Sequence, residues 1–190
     1  MPKPIAISKE MIDSAAFEMV RESGMEILSA RNIAEKLKCS TQPIYKTYEN
    51  MDSLKSSVTK KLGAFMMEKI TGYRKTDCAF LNSGLGYIHF AGTEKVLFRL
   101  FCLESKGHNV LKPDDGNRVI RMLMEQELQT RGVELQKESR DKIFLQTMVF
   151  TYGMAVLMLF DNLQMEEDEI ADMLMETFEN CIAQETEKKI

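Results

Sequence analysis

The chain has 190 residues, of which 44% are hydrophobic and 28% are charged, and it contains only 10 Gly, 4 Pro and no Trp. This is the composition of an ordinary soluble protein with a buried core, and the scarcity of Gly and Pro favours helices throughout. The formal net charge of −4 argues against a nucleic-acid partner for the chain as a whole. Residues 29–62, however, carry seven Lys or Arg against three Asp or Glu, so a local basic footprint exists.

The cysteines predict neither a metal site nor a redox motif. Cys39, Cys78, Cys102 and Cys181 lie far apart, and no pair has the short spacing of a zinc knuckle or a redox-active pair. We therefore expect reduced thiols in a cytoplasmic protein, with no metal and no cofactor.

The most apolar stretch, Ile143–Phe160, approaches the length of a membrane span. Polar residues and a glycine interrupt it, and basic residues lie immediately before it. This pattern favours a helix that is buried in a core or a subunit interface over a helix in a membrane.

The first 62 residues show helical spacing of apolar positions, without strand-like alternation. Ser8 is placed to cap a first helix that ends at Gly24, and Ser29 is placed to cap a short second helix. The apolar positions predicted to face inward in the first four helices are Ile12, Ala15, Ala16, Met19, Val20, Ile33, Ala34, Leu37, Ile44, Tyr48, Leu54, Val58, Leu62 and Phe65.

A third short helix is predicted to begin near Ser40 or Thr41, and a fourth at Asn50 or Asp52. Beyond Ile70 the spacing loosens over residues 71–75, which we interpret as a domain junction. Further helices are predicted over about 77–91, 94–104, 115–130, 135–161 and 166–187, with a loop at Ser105–Gly116.

The segment Ser29–Tyr48 has the dimensions of a DNA-binding helix-turn-helix, in which two short helices are joined by a tight turn. Its apolar residues would hold the helices together, while hydroxyl, amide and Lys side chains remain on the opposite face. Such side chains reach base edges and phosphates in the major groove. Pro43 falls in the first turn of the second short helix, where its missing N–H is tolerated.

The register from Ser8 to Leu62 resembles the N-terminal domain of the tetracycline-repressor (TetR) family, and STQPIYKTYENMDSL is its most diagnostic piece. The resemblance implies an all-α protein with a three-helix DNA-binding domain in residues 1–55. A connecting helix over 51–70 then leads to a helical-bundle domain for effector binding and dimerisation in residues 71–190. Met51 is a departure, because the family commonly has Lys there. It implies either that the phosphate contact from that side is weaker or that Lys55 supplies it.

The DNA contacts that the resemblance implies come from the second and third helices and the start of the fourth. Arg31 is the best candidate for reading a guanine edge, and Tyr45 resembles a phosphate contact. The full set is Ser29, Arg31, Ser40, Thr41, Gln42, Pro43, Tyr45, Lys46, Thr47 and Lys55.

The resemblance also implies a homodimer through the helices near 135–161 and 166–187, which would place two recognition helices on a palindromic double-stranded operator. Release of a repressor by an unidentified small molecule is the mechanism it implies. Aromatic and Met residues between 77 and 160 suit a pocket for such an effector. The candidates, each of which is also a plausible core residue, are Tyr87, Phe90, Phe98, Phe101, Cys102, Met122, Phe150 and Met154.

Two other classes of protein remain open. One is a helical ligand-binding or interaction protein that does not bind DNA. The other is a small helical enzyme that uses His89 or a cysteine, although no nucleophile–base spacing, phosphate loop or carboxylate pair supports catalysis, so we predict no enzyme activity.

Overall fold

The computed structural model describes residues 6–104 and 115–187, and within these ranges all regular structure is helical. A π-helical turn over Arg99–Leu103 directly follows a four-residue α-helix that ends at Phe98. The α-helices in chain order are α1 (Lys9–Ser23), α2 (Ala30–Lys36), α3 (Gln42–Thr47), α4 (Met51–Thr71), α5 (Ala79–Thr93), α6 (Lys95–Phe98), α7 (Asp115–Thr130), α8 (Lys137–Leu159) and α9 (Glu167–Glu187).

The predicted all-helical order is confirmed, and the differences lie at helix ends, where fraying and local capping decide. Ser8 caps α1 by accepting from the amide of Met11 (3.3 Å), as predicted. Helix α5 begins at Ala79, two residues later than expected, because the thiol of Cys78 accepts from the amide of Leu81 (3.5 Å). The predicted loop at Ser105–Gly116 lies mainly outside the described residues, and its last two residues belong to α7, which begins at Asp115 as the helix predicted over about 115–130 does.

The chain divides into two compact units. The first comprises Met1–Phe65 together with Val96–Ser105, and the second comprises Met66–Lys95 together with Lys106–Ile190. In the first unit the apolar positions that the sequence predicts as inward-facing are buried, except Leu37 and Phe65, which are half-buried. Phe65 meets Phe17 edge-on, with ring centroids 5.4 Å apart.

Helix α5 is the centre of the second unit and packs against α7, α8 and α9. Nine of its fifteen residues are buried, so its sequence is an apolar stretch rather than an amphipathic pattern. Phe80 of α5 packs on Phe178 of α9, with ring centroids 5.0 Å apart. Gly86 allows α5 to approach the last turn of α4 closely, because a Cβ there would lie 2.5 Å from the carbonyl oxygen of Ile70.

A buried amide fixes the turn that precedes α5. Asn82 is 2% exposed, and its carbonyl oxygen accepts from the backbone amides of Lys75 (3.0 Å) and Thr76 (2.7 Å). Its amide nitrogen donates back to the carbonyl of Thr76 (2.7 Å). These hydrogen bonds hold the turn against the core. They also satisfy the side-chain amide of Asn82, which would be costly to bury without partners.

Helix α8 has two apolar sides of different character. One side, which includes Phe144, Thr147 and Ala155, is buried among the other helices of the second unit. The other side exposes Leu145, Val149 and Leu157. In the described part of the chain, α8 is the one helix that is long and apolar enough to cross a membrane, judged by length and composition alone.

Candidate nucleic-acid interface

The start of α2 is held rigidly and presents a cation. Ser29 caps the helix by accepting from the amide of Asn32 (3.1 Å), and the side-chain amide of Asn32 donates to the carbonyl of Ile27 (2.7 Å). Ala30 is buried, whereas the neighbouring Arg31 is exposed. The guanidinium of Arg31 therefore projects from a fixed helix start, as a group that reads a base edge must.

Helix α3 has one buried and one exposed side. Ile44 and Tyr48 are almost completely buried beneath it. Gln42, Tyr45 and Lys46 are exposed at positions i, i+3 and i+4, which share one face of a helix. Tyr45 is 56% exposed, so its ring and its hydroxyl are open to a partner at the surface.

The remaining residues predicted to contact DNA differ in their exposure and in their internal hydrogen bonds. Ser40 and Thr41 are exposed in the turn before α3, and Pro43 and Lys55 are half-buried. Thr47 uses its hydroxyl within the helix, donating to the carbonyl of Pro43 (2.9 Å). Its predicted role in DNA contact therefore competes with an internal hydrogen bond, as does that of the capping residue Ser29.

The far end of α3 is tied to two other helices through Tyr48. Its hydroxyl donates to the carboxylate of Asp13 on α1 and lies 3.2 Å from the hydroxyl oxygen of Ser57 on α4. The ammonium of Lys9 lies 5.5 Å from the centre of the Tyr48 ring. Burial and the neighbouring Asp13 raise the pKa of Tyr48 above its ordinary value, which keeps the phenol protonated as the donor. The sequence predicted Tyr48 as core, but gave no sign of this network.

Helix α4 begins with a reciprocal cap. The side chain of Asn50 accepts from the amide of Ser53 (2.9 Å), and the hydroxyl of Ser53 donates back to the carbonyl of Asn50 (2.8 Å). Asn50 is one of the two capping residues that the sequence offered, and the structure selects it.

The basic residues of the first unit fall into two groups. Lys36 pairs with Glu18 (3.1 Å), and the ammonium of Lys61 lies 5.5 Å from the centre of the Phe17 ring. Arg31, Lys38 and Lys46, in contrast, have no ion-pair or hydrogen-bond partner for their side chains among the described residues. These three cations lie on α2, in the turn and on α3, next to the exposed polar side chains, and the side chains of Lys55 and Lys60 on α4 likewise have no such partner among the described residues.

The residues predicted for an effector pocket are divided between the two units. Phe98, Phe101 and Cys102 belong to the first unit, and the other five belong to the second. Phe90, Phe98 and Met154 are buried, Met122 is 50% exposed, and the other four are half-buried.

Phe90 contributes to a groove in the second unit with a volume of about 480 Å³. The other residues that line the groove are Glu68, Lys69, Gly72, Tyr73, Gly86, His89, Thr93 and Glu94.

His89, Cys78 and Cys181 are three of the side chains that the sequence offered for a catalytic role. The exposed ring of His89 packs against the ring of Tyr73, with centroids 5.3 Å apart. Burial raises the pKa of the Cys78 and Cys181 thiols, which disfavours the nucleophilic thiolate. Within residues 6–104 and 115–187, no group of three or more His, Cys, Asp or Glu side chains is arranged to hold a metal ion.

The geometry defines an all-helical protein with an N-terminal helix-turn-helix. Two solved structures share this fold over nearly the whole chain. One is a TetR-family protein of Vibrio parahaemolyticus described as a transcriptional regulator, with a TM-score of 0.62 and 13% identity over 90% of this chain and 96% of that one. The other is a TetR-like transcriptional regulator of Rhodococcus sp. RHA1, with a TM-score of 0.56 and 18% identity over 95% of this chain and 98% of that one.

No protein-family model matches the sequence. No curated protein matches it either. At 13% and 18% identity the likeness to the two solved structures establishes the fold. The chain therefore has the TetR-like fold, as its helix-turn-helix register predicted.

Proposed function

We propose that the chain is a sequence-specific DNA-binding transcriptional regulator that acts in the cytoplasm as a homodimeric repressor, released by a small molecule. One observation carries the DNA-binding part: the short helix α3 buries Ile44 and Tyr48 and exposes Gln42, Tyr45 and Lys46. Amide, phenol and ammonium groups on one face of a short, firmly anchored helix match the chemistry of the major groove and its phosphates.

The exposed Arg31 at the start of α2 extends this face. In a helix-turn-helix the first of the two helices crosses the phosphate backbone, while the second enters the groove. Both Arg31 and Lys46 are without ion-pair partners among the described residues, so neither has to give up an internal contact to meet DNA. This supports the proposed contact set of Ser29, Arg31, Ser40, Thr41, Gln42, Pro43, Tyr45, Lys46, Thr47 and Lys55.

The proposed dimer is supported by the exposed side of α8. Leu145, Val149, Gly153 and Leu157 recur every four residues along it, and the three larger side chains are 37%, 61% and 43% exposed. Such a row lies on one face of the helix and leaves apolar area in water. A second copy is the occupant we propose, because a two-fold pair of these faces gives each copy the same contact and presents two recognition helices to DNA.

The proposed effector is supported by composition and by a groove in the second unit. Aromatic and Met side chains are frequent between residues 77 and 160, and Phe90 lines the groove of about 480 Å³ in the second unit. If an effector lowers operator affinity, DNA must lower the affinity for that effector by the same factor.

The DNA-binding proposal is tested by electrophoretic mobility shift against fragments of the source genome over a range of salt concentrations. We expect a few fragments to bind far more tightly than the rest, with an affinity that falls steeply as salt rises. The double variant Gln42→Ala, Lys46→Ala should lose this binding, whereas Lys137→Ala, exposed on α8, should retain it. Failure of the full-length protein to bind any duplex at low salt would leave the helical ligand-binding alternative.

A further inference from the structure

Three helices in the described part of the chain end with the same pair of backbone hydrogen bonds. After α7 the amide of Gly132 donates to the carbonyl of Gln129 (3.0 Å), and the amide of Val133 donates to that of Leu128 (2.9 Å). This is the Schellman arrangement, which requires a left-handed conformation at the first residue past the helix. Gly132 has φ of 69° and, without a Cβ, adopts this conformation readily.

The same arrangement closes α8 with an aspartate. The amide of Asp161 donates to the carbonyl of Met158 (3.1 Å), the amide of Asn162 donates to that of Leu157 (2.9 Å), and Asp161 has φ of 56°. Aspartate is one of the residues that enter the left-handed region more readily than most. The position is also held by an ion pair, because both carboxylate oxygens of Asp161 accept from the ammonium of Lys95 at 2.7 Å.

The end of α2 has the same geometry, but its left-handed residue is neither glycine nor aspartate and is not held by an ion pair. The amide of Lys38 donates to the carbonyl of Glu35 (3.1 Å), and the amide of Cys39 donates to that of Ala34 (2.9 Å). Lys38 has φ of 53°. Its Cβ disfavours the left-handed region, as in any residue other than glycine. Its ammonium has no ion-pair or hydrogen-bond partner among the described residues. The strain at this position is therefore not offset by any ion pair or hydrogen bond of the lysine side chain among the described residues.

The position of Lys38 suggests what the lysine contributes. It is exposed in the turn between α2 and α3, two residues before Ser40, at the end of the helix-turn-helix that leads into the groove. Residues held in sparsely populated backbone regions often serve a site. A compact cation on a flexible stem, close to the start of a recognition helix, fits a phosphate oxygen of the DNA backbone.

We propose that Lys38 binds a DNA phosphate and that its unfavourable backbone conformation is retained for this contact. The inference rests on the proposed DNA-binding function and adds a contact that lies outside the predicted set. It implies opposite effects of one substitution: Lys38→Gly relieves the strain and removes the charge, so it should stabilise the fold and weaken DNA binding.

The test uses the full-length protein and a mixed-sequence duplex of about 30 base pairs, long enough for two half-sites. A phosphate contact is independent of base sequence, so no operator has to be known. For Lys38→Gly we expect a melting temperature about 1–3 °C higher. We also expect the slope of log affinity against log salt to become shallower by about 0.9 for each protomer bound.

Two further variants separate charge from conformation. Lys38→Arg keeps the cation and should keep the slope of the native protein. Lys36→Gln removes the same charge two residues away, but Lys36 is already paired with Glu18 (3.1 Å), so we expect its slope to change much less.

The possible results separate the two levels of the proposal. An unchanged slope in Lys38→Gly, or a slope equally reduced in Lys36→Gln, would overturn the phosphate contact while DNA binding stands. A loss of affinity without a change in slope would also overturn it, because it would point to altered turn conformation instead of lost charge. If the native protein binds no duplex at low salt, the failure belongs to the proposed function itself.

Discussion

The segment Ser29–Lys55 of the first unit and helix α5 of the second organise their polar groups in opposite ways. In the first, each short helix buries one side and leaves polar side chains such as Gln42 and Lys46 exposed. In the second, the polar side chains of Asn82 and Ser83 are buried and form hydrogen bonds to the backbone. Substitutions should therefore change binding in the first region and stability in the second.

The largest effect should follow from filling the close contact between α4 and α5. In Gly86→Ala, the new Cβ would lie 2.5 Å from the carbonyl oxygen of Ile70 and 2.8 Å from the Cβ of Tyr73. The first of these atoms belongs to the backbone and the second is bonded directly to it, so neither can move far without shifting the chain. We therefore expect a loss of about 3 kcal/mol in the free energy of unfolding. Urea denaturation measures this.

The control for that prediction is a glycine in open space. Gly63 lies in α4, and apart from its chain neighbours and the backbone of its own helix, no atom lies within 4 Å of the position that a Cβ would take there. Gly63→Ala should therefore stabilise the protein by about 0.5–1 kcal/mol. If the two alanine variants have the same stability, the close approach of the helices is not a determinant of the fold.

The second prediction concerns the proposed dimer, in which the exposed side of α8 in the second unit binds a second copy of the chain. Val149→Arg should place two arginines near each other across the two-fold axis and weaken dimerisation by on the order of 3 kcal/mol. Sedimentation equilibrium measures the change, and the helical circular dichroism should stay the same because Val149 is 61% exposed. The control is Gln126→Arg on the exposed side of α7; equal dissociation in both variants would argue against the α8 face.

Arg31→Ala tests base reading in the first unit. We expect a loss of roughly 1–3 kcal/mol in operator binding and relaxed discrimination at one operator position. Stability should change little, because Arg31 is exposed and Ser29 still caps the helix. Competition binding with an operator series measures the effect, with Lys60→Ala as an exposed control. An equal loss on operator and random DNA would contradict a base contact.

The smallest effect should come from the hydroxyl that joins α3 to α1. Tyr48→Phe removes a part-buried hydrogen bond to Asp13, and we expect a loss of about 1 kcal/mol in the free energy of unfolding at neutral pH. The pKa of Tyr48 is raised in the folded protein, so the stability it provides is complete below the unfolded pKa of about 10 and declines as pH rises through the folded value.

Thermal unfolding at several pH values measures that contribution. The advantage of the native protein over Tyr48→Phe should therefore shrink above pH of about 10. Tyr45→Phe is the control, since Tyr45 is 56% exposed and its hydroxyl has no hydrogen-bond partner among the described residues, so we expect no loss of stability at neutral pH. If the difference in stability between the native protein and Tyr48→Phe stays constant across the alkaline range, ionisation of Tyr48 does not contribute to the pH dependence.

The sequence by itself determined the helical fold and the helix-turn-helix. Apolar spacing and the caps Ser8, Ser29 and Asn50 are local signals, so the helices of the first unit and their buried sides were predictable. The exposed side of α3 followed for the same reason, because a helix that buries Ile44 must expose Gln42 and Lys46. The resemblance to the TetR family was likewise recognised from the local register of residues between Ser8 and Leu62.

Tertiary structure decided the features that join residues distant in sequence or depend on backbone angles. The hydroxyl of Tyr48 meets Asp13 across 35 positions, and Gly86 meets Ile70 across a helix contact, so neither pairing has a local signal. In the sequence, Lys38 looks like an ordinary solvated lysine. Only the backbone shows that it occupies a left-handed position at φ of 53°, where glycine would be the easier residue.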